Sequence, residues 1–347
     1  MNKMMYGVVK EKPAPGAVWH EDLPIPKVGP RDVLVRVRAT AICGTDQHIY
    51  PWTPYAQARL KLPMVFGHEF AGDIMETGSQ VTEFHPGQRV AGETHIPCNK
   101  CYMCRSNRRH NCADMKIIGV HAPGSFAEYI AFPADCVYVL PDNISYEHGS
   151  MLEPMGVAVH GVSRAEVAGQ TVLVYGAGPI GLMAVGAAKV MRAKKIFCAD
   201  LFDAKLKVAK EVGADVVVNT KKEDLHDIIY QQTDGTGVDV VIDYTGNNQA
   251  LKSGFDCLRK NGTFVVVGLP SKDTTLDWTK NIIYKEATVY GVTGRLMYET
   301  WDECIQILNS PDFKLEKMIG GIYPLKEYEK AFQDIDTGIP GKLILIP

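Results

Sequence analysis

The sequence predicts an α/β protein with two domains, one mainly of β-strands and one a doubly wound parallel sheet. One hydrophobic core rarely serves more than about 300 residues, and the chain has 347. Residues 1–157 contain short strand-like runs and loops, whereas residues 158–294 alternate apolar runs with helix-like runs. Strands that are apolar on both faces and alternate with helices indicate a parallel sheet covered on both sides. We expect residues 295–347 to return to the first domain.

Composition and charge exclude several classes of protein. Hydrophobic residues make up 46% of the chain and charged residues 22%, which is ordinary globular usage. The net charge of −3 provides no basic field for nucleic acid or anionic membranes, so we expect neither as a partner. The N-terminus lacks the apolar region and cleavage site of a secretory signal, and we therefore predict a cytoplasmic protein.

The elements of the first domain are predicted from alternation. Residues 33–39, VLVRVRA, alternate apolar and basic side chains, as in a strand with one face on a core and one in water. Residues 126–132, FAEYIAF, and residues 136–140, CVYVL, are further strands. A Pro-rich segment at 51–63 is typical of a surface loop.

The elements of the second domain are predicted from runs of β-branched residues. These runs are TVLVY at 171–175, KKIFCAD at 194–200, ADVVVN at 214–219, VDVVIDY at 238–244 and TFVVVG at 263–268. Helix-like stretches separate them, and after residue 295 two further helices precede a final strand, KLILI.

A glycine-rich segment, GAGPIG at residues 176–181, follows the first of these strands. It matches G-x-G-x-x-G, which alone is weak evidence, but its place between a strand and a helix indicates a dinucleotide site. Gly176 would permit a tight turn, Gly178 would let backbone amides approach a pyrophosphate, and Gly181 would bring helix against strand. Pro179 and Ile180 are predicted to contact the cofactor as well.

An acidic residue at the end of the next strand predicts which cofactor binds. Asp200 follows Gly176 by 24 residues, where a carboxylate can accept hydrogen bonds from the adenosine ribose. The same carboxylate would repel a 2′-phosphate, which favours NAD over NADP. Lys205 could reach the same ribose, although a lysine on an exposed helix is usually just solvated.

Four cysteines in the segment CNKCYMCRSNRRHNC could form disulfides, hold a metal or pack in a core. They are Cys98, Cys101, Cys104 and Cys112. Persistent disulfides are rare in a reducing compartment, and the segment is too polar for a core, so a metal is favoured. Four thiolates fill the shell of a tetrahedral zinc, which predicts a structural site in a lobe spanning residues 95–115.

A second set of potential ligands is scattered through the chain: Cys43, His68, Glu69 and Glu153. Each alone has an ordinary explanation, Cys43 as a small buried residue and His68 as a hydrogen-bonded core histidine. The segment GHEFAGDIMETGSQV, read whole, matches G-H-E-x2-G-x5-G-x2-V. This segment accompanies the cysteine quartet and the dinucleotide segment in one chain.

These features resemble the medium-chain, zinc-dependent alcohol dehydrogenase superfamily along essentially the whole chain. AICGTDQHIYPWTPYAQARLKLPMVFGHEFAG, GETHIPCNKCYMC and YGVTGRLMYETW are most similar to its L-threonine 3-dehydrogenase branch. The resemblance implies a GroES-like catalytic domain, a Rossmann NAD domain, two zinc ions per chain and a homotetramer. It also implies that Cys43, His68 and Glu153 bind the catalytic zinc, with Glu69 as a fourth ligand or as a partner that exchanges with water or substrate.

The resemblance implies further roles for residues that have ordinary explanations when they are considered alone. Thr45 and His48 would relay a proton, and His95 would line the substrate pocket. The remaining implied cofactor contacts are Gly268, Leu269 and Arg295.

The implied reaction is NAD-dependent oxidation of a secondary alcohol, with L-threonine converted to 2-amino-3-ketobutyrate. One departure from the branch bears on the substrate: Gly156 is followed by Val157 where a Gly-Asn pair is typical. A polyol or diol dehydrogenase acting on sorbitol, xylitol or 2,3-butanediol is the alternative, since it shares every ligand. A non-catalytic NAD- and zinc-binding protein is the alternative from another class.

Overall fold

A computed structural model describes residues 4–347, which form two compact units. Unit 1 comprises the chain up to Pro154 together with Gly321–Gly338 and Lys342–Pro347, and unit 2 comprises Met155–Gly320 and Ile339–Gly341. The α/β fold class is confirmed: unit 1 is built mainly from strands, and unit 2 alternates strands and helices.

Eighteen strands are found in the described residues. In chain order they are β1 (Met4–Lys10), β2 (Val18–Pro24), β3 (Asp32–Ala41), β4 (Met64–Val65), β5 (Glu69–Thr77), β6 (Arg89–Gly92), β7 (His95–Ile96), β8 (Lys116–Ile117), β9 (Tyr129–Pro133), β10 (Val137–Val139), β11 (Thr171–Tyr175), β12 (Lys195–Asp200), β13 (Val216–Asn219), β14 (Val238–Asp243), β15 (Leu258–Val266), β16 (Thr288–Gly291), β17 (Ile319–Pro324) and β18 (Lys342–Ile346).

Eleven α-helices accompany these strands in residues 4–347. They are α1 (Asp46–Ile49), α2 (Pro54–Gln57), α3 (Tyr102–Arg105), α4 (Tyr146–Ser150), α5 (Leu152–Arg164), α6 (Pro179–Val190), α7 (Asp203–Glu211), α8 (Leu225–Gln231), α9 (Asn248–Cys257), α10 (Glu299–Leu308) and α11 (Tyr328–Asp336). Within the described part of the chain, none of the helices is both long and apolar enough to cross a membrane.

The main sheet of unit 1 has the strand order β10-β6-β5-β3-β18-β17, with β9 also paired to β3. The predicted strand at 33–39 is confirmed as the middle of β3. Its residues Val33, Val35 and Val37 are buried, whereas Arg38 is exposed, as the alternation predicts. The last strand, β18, pairs with β3 antiparallel, so the end of the chain lies against residues 40 and 41.

The sheet of unit 2 is parallel, with the order β13-β12-β11-β14-β15-β16. The predicted β-branched runs are confirmed as β11 to β15. Their side chains form a core with those of the covering helices, including Leu173, Phe197, Val241 and Phe264, each with no exposed surface. Because the strands are parallel, the loops after β11, β12 and β14 lie at one edge of the sheet.

The segment 295–320 lies in unit 2, whereas we expected the return to the first domain to begin at residue 295. Helix α10 buries Trp301 and Cys304 within unit 2. Gly186 of α6 has no side chain, and a Cβ there would meet Phe313 at 2.8 Å and Met318 at 2.9 Å. This close packing against α6 keeps the segment on unit 2, and the return begins only at Gly321.

Candidate active site

A potential metal centre lies where β3 ends and β5 begins. Cys43, His68 and Glu69 each offer a ligand atom, and these atoms lie within 4.8 Å of one another. The register explains the convergence, because Ala41 on β3 is paired with Glu69 on β5. A separation of 25 residues along the chain is thus closed by one antiparallel pairing.

Glu153 approaches the same centre from the start of α5. Its side chain is buried, and its negative charge contributes to raising the pKa values of His68 and Glu69. The fourth predicted ligand is therefore close enough to act on two of the other three.

Asp46 is a buried carboxylate at this centre that sequence reasoning missed. Its Oδ2 accepts a hydrogen bond of 2.8 Å from the backbone N–H of Cys43, and its Oδ1 lies 4.0 Å from Nδ1 of His68. Burial raises the pKa of Asp46. The signal in the sequence is its place three residues after Cys43, where an aspartate can bind a backbone amide of its own turn.

The electrostatics of the centre favour a bound cation. Burial opposes a charge on His68, but its interactions with Cys43, Asp46 and Glu153 together raise the pKa of His68 to about 10. Oδ1 of Asp46 and Nδ1 of His68 are buried without hydrogen-bond partners. A thiolate, an imidazole and carboxylates are the ligand types that zinc takes in proteins, so the donor set fits this metal.

Lys342 is a second residue of the centre that the sequence did not reveal. This buried lysine begins β18, and its Nζ lies 2.8 Å from each carboxylate oxygen of Glu69, with hydrogen-bond geometry to Oε1. It also donates a bond of 3.1 Å to the carbonyl of Ile42. A lysine at the first residue of an apolar strand is usually solvated, which is why the pattern KLILI did not suggest a buried charge.

The predicted proton relay lies beside the metal donors. Thr45 directly precedes α1, and His48 follows one turn later with an exposed side chain. Nδ1 of His48 lies 3.4 Å from Oγ1 of Thr53. The exposure of His48 gives a proton carried by this imidazole a direct route to water.

His95, the predicted pocket residue, is oriented by a buried carboxylate. Oε1 of Glu93 accepts a bond of 2.8 Å from the backbone N–H of His95 and lies 2.9 Å from its Nδ1. Glu93 has no exposed surface, whereas the His95 side chain is 20% exposed. Glu93 therefore holds the ring in place while leaving part of it accessible.

The four-cysteine segment brings its thiols together. All four Sγ atoms lie within 4.8 Å of one another, and Cys101 Sγ lies 3.5 Å from Cys104 Sγ and 3.9 Å from Cys112 Sγ. Zinc–sulfur bonds of about 2.3 Å would place tetrahedral sulfurs about 3.8 Å apart, which matches these distances. Backbone amides of Ala113 and Cys104 lower the pKa of Cys101 to about 6, whereas burial raises the pKa of Cys104 to about 12. The quartet fits a closed metal site, and its thiols are free rather than paired in disulfides.

The glycine-rich turn after β11 has the geometry expected of a dinucleotide loop. Gly176 has a φ of +100°, and a Cβ on Gly181 would lie only 1.8 Å from the carbonyl oxygen of Gly176. Helix α6 can therefore approach the strand only without a side chain at 181. Its N-terminus begins at Pro179 and is open for an anionic group, because nothing lies within 4 Å of a Cβ built at Gly178.

Asp200 ties the ends of β11 and β12 together. Its Oδ2 accepts a bond of 2.7 Å from the N–H of Ala177 in the glycine-rich turn, and its Oδ1 accepts from Leu201 and Phe202. Lys205 lies on α7, with its Nζ 4.9 Å from the ring of Phe202.

A cavity of about 850 Å³ opens beside these residues at the carboxyl edge of the sheet. Its lining includes Asp200, Phe202, Lys205, Thr245 and Asn247. A cleft of this size at the edge where parallel strands end is typical of a nucleotide site in an open α/β sheet.

The other predicted cofactor contacts differ in their exposure. Gly268 packs against the backbone of residues 245 and 246, Leu269 is largely exposed, and Arg295 is buried. The side chain of Arg295 passes Gly156, where a Cβ would lie 2.4 Å from its Cδ. Gly156 thus leaves room for the arginine, a packing role that its motif did not reveal.

Comparisons with known proteins agree with this arrangement of sites. Residues 29–142 match the alcohol dehydrogenase GroES-like domain, and residues 179–310 match the zinc-binding dehydrogenase domain. The chain is 41% identical to L-threonine 3-dehydrogenase of Caldanaerobacter subterraneus over 350 residues, with both chains fully covered.

Solved structures share the fold over nearly the whole chain. A zinc-binding dehydrogenase of Sinorhizobium meliloti 1021 bound to NADP has a TM-score of 0.91 at 28% identity, covering 99% of this chain and all of that one. An alcohol dehydrogenase of Escherichia coli CFT073 in complex with NADH has a TM-score of 0.88 at 30% identity, covering 99% of both. The chain therefore belongs to the zinc-binding alcohol dehydrogenase family of oxidoreductases.

Proposed function

We propose that the protein oxidises the secondary hydroxyl of L-threonine to give 2-amino-3-ketobutyrate, with NAD as the hydride acceptor. The observation that carries the chemistry is the convergence of ligand atoms from Cys43, His68 and Glu69 to within 4.8 Å of one another, with buried Glu153 acting on two of them. These donor types suit zinc. The choice of L-threonine is supported by the full-length similarity to an L-threonine 3-dehydrogenase.

Cys43, His68 and Glu153 would hold the catalytic zinc. Bound there, zinc supplies Lewis acidity that lowers the pKa of a coordinated hydroxyl. The thiolate of Cys43 and the carboxylate of Glu153 offset the charge of the dication. Asp46 holds the loop of Cys43 through its bond to the backbone N–H, and its Oδ1 lies 4.0 Å from Nδ1 of His68.

Thr45 and His48 would carry away the proton of the alcohol. The Thr45 hydroxyl both accepts and donates hydrogen bonds, so it can pass a proton without holding a charge. His48 is exposed and can release the proton to water. Arg295, Gly268 and Leu269 would contact the cofactor, and the start of α6 would face its pyrophosphate.

The preference for NAD rests on Asp200. A carboxylate at the end of β12 can accept a bond from a ribose hydroxyl and would repel the 2′-phosphate of NADP. Three backbone N–H groups already bind Asp200, which leaves acceptor capacity on its two oxygens. Related structures contain either NADP or NADH, so the preference has to be measured on this chain.

We propose that Cys98, Cys101, Cys104 and Cys112 bind a second, structural zinc. Four thiolates leave no position for water or substrate, so this metal would hold the lobe together rather than take part in the reaction. We also propose a cytoplasmic location, in keeping with nine cysteines that are all free.

We further propose that the protein assembles as a homotetramer. Strand β16 is an edge strand of the unit 2 sheet, and large apolar side chains near it are exposed. They include Trp278, Ile283, Tyr284 and Val289. Exposed apolar side chains beside an unpaired strand edge favour association with another chain. Light scattering during gel filtration tests the assembly, and a monomer at micromolar concentration would contradict it.

A polyol or diol dehydrogenase is the competing function, favoured by Val157 where asparagine is typical of the threonine branch. The test is NAD reduction with L-threonine, sorbitol, xylitol and 2,3-butanediol under one set of conditions. We expect the highest kcat/KM with L-threonine. Saturation by sorbitol without turnover of L-threonine would reverse the assignment, and no turnover with any alcohol would favour the binding protein.

A further inference from the structure

Lys342 is a buried cation beside the metal donors. Only 3% of its surface is exposed, and its Nζ has three close oxygen contacts: the two carboxylate oxygens of Glu69 at 2.8 Å and the carbonyl of Ile42 at 3.1 Å. The ammonium and the fully buried carboxylate of Glu69 therefore form an ion pair inside unit 1.

The same carboxylate is within reach of the metal centre. An oxygen of Glu69 lies within 4.8 Å of the donor atoms of both Cys43 and His68. A zinc ion held at that centre would therefore compete with the Lys342 ammonium for one carboxylate. Zinc with three protein ligands keeps a position for substrate, whereas zinc with four protein ligands is closed.

The acidic groups of the centre explain why a lysine ammonium beside them is stabilising. Three buried carboxyl groups, those of Asp46, Glu69 and Glu153, lie at this centre together with the half-buried thiol of Cys43. A zinc dication alone would leave part of this negative charge unpaired, and buried charges are costly unless they are paired. Lys342 adds a third positive charge, which lies beside the carboxylate of Glu69.

We propose that Lys342 is a positioning residue that holds Glu69 in an ion pair and thereby keeps one coordination position of the catalytic zinc available to the alcohol. The inference rests on the proposed function, because it assumes zinc at this centre. The C-terminal strand β18 thus brings a cation to the metal site through its pairing with β3.

The test follows imidazole binding to the full-length protein with cobalt(II) in the catalytic site. Imidazole needs an open coordination position, and visible absorption of cobalt(II) reports its binding without any turnover. We expect Lys342→Met to bind imidazole about tenfold more weakly or worse, because Glu69 closes the site. Zinc should also leave this variant more slowly when a chelator is added.

Three further variants separate positioning from general destabilisation. Lys342→Arg keeps the cation and should bind imidazole as the wild type does. Lys342→Met combined with Glu69→Gln removes the competing charge and should restore binding. Lys10→Met is the matched control, because Lys10 is equally buried but bonds only to the carbonyls of Ala14, Gly16 and Tyr50.

Unchanged imidazole binding in metal-loaded Lys342→Met would overturn the proposal. Should that variant not fold, a crystal structure of the wild-type zinc protein decides instead: Glu69 paired with Lys342 and away from zinc supports the proposal, and Glu69 bound to zinc contradicts it. These measurements need no substrate. Failure to oxidise L-threonine would therefore refute the assigned reaction while leaving this result intact.

Discussion

At the scale of single residues, Glu93 sets which nitrogen of His95 carries a proton. Its carboxylate oxygen lies 2.9 Å from Nδ1. Because a carboxylate only accepts hydrogen bonds, a neutral His95 ring carries its proton on Nδ1 and has its acceptor at Nε2. If His95 lines the substrate pocket, it can then accept a bond from the ammonium group of L-threonine, a donor that a polyol lacks.

Replacing Glu93 by Gln tests this orientation. The amide can donate as well as accept, so it no longer selects one tautomer of His95. We expect kcat/KM for L-threonine to fall about tenfold, mainly through a higher KM, since one hydrogen bond to a charged group is worth about 1.5 kcal/mol. Steady-state kinetics measure the effect, and Glu83→Gln at an exposed position is the control. An unchanged KM would refute this role.

Residues of the site differ in how well a sequence reveals them. Cys43 and His68 stand in motifs, and their chemistry can be predicted from residue type and spacing. Asp46 and Lys342 have ordinary local contexts, and their roles depend on contacts made by folding. Lys342 meets Ile42 across 300 residues of chain, a separation that no local pattern records.

At the scale of elements, the turn between β11 and α6 depends on a close approach. The Gly176 carbonyl oxygen would lie 1.8 Å from a Cβ on residue 181. Gly181→Ala should therefore displace the helix start, weaken NAD binding by about tenfold or more and lower the free energy of unfolding by about 2 kcal/mol. Calorimetric titration and urea unfolding measure the two effects.

A matched glycine provides the control for that variant. Gly291 has open space around the position of a Cβ and no positive φ, so Gly291→Ala should leave both quantities unchanged. Equal behaviour of the two variants would contradict the packing role of Gly181.

The cysteine lobe provides a second test at this scale. Cys104→Ser removes one thiolate of the quartet, and we expect about one zinc fewer per chain and greater sensitivity of the lobe to proteolysis. Metal analysis and limited trypsin digestion measure both. Because the catalytic donors are separate residues, a full zinc content in this variant would refute the structural site.

Helices and strands were predicted better than the unit against which each of them packs. The first of the two helices predicted after residue 295 is confirmed as α10, and the structure shows that it buries Trp301. The sequence pattern does not specify which of the two units covers the buried face of α10. Gly186 leaves room for Phe313 and Met318, and this packing keeps residues 295–320 on unit 2.

At the scale of the whole molecule, the proposed function requires two kinds of metal site in one chain, one closed and one open. The quartet supplies four ligands of one type, and the centre of Cys43 and His68 supplies a mixed set. Both sites lie in unit 1, whereas the dinucleotide turn lies in unit 2. The resemblance predicted the two unit types, but the division within residues 295–347 emerges only from the structure.

The most direct test of the central claim is zinc content and turnover measured together in the wild type and in Cys43→Ser. The wild type should contain about two zinc ions per chain and reduce NAD with L-threonine. The variant should keep about one zinc, in the quartet, and lose nearly all turnover. Full turnover by a protein with only the quartet zinc would contradict the account.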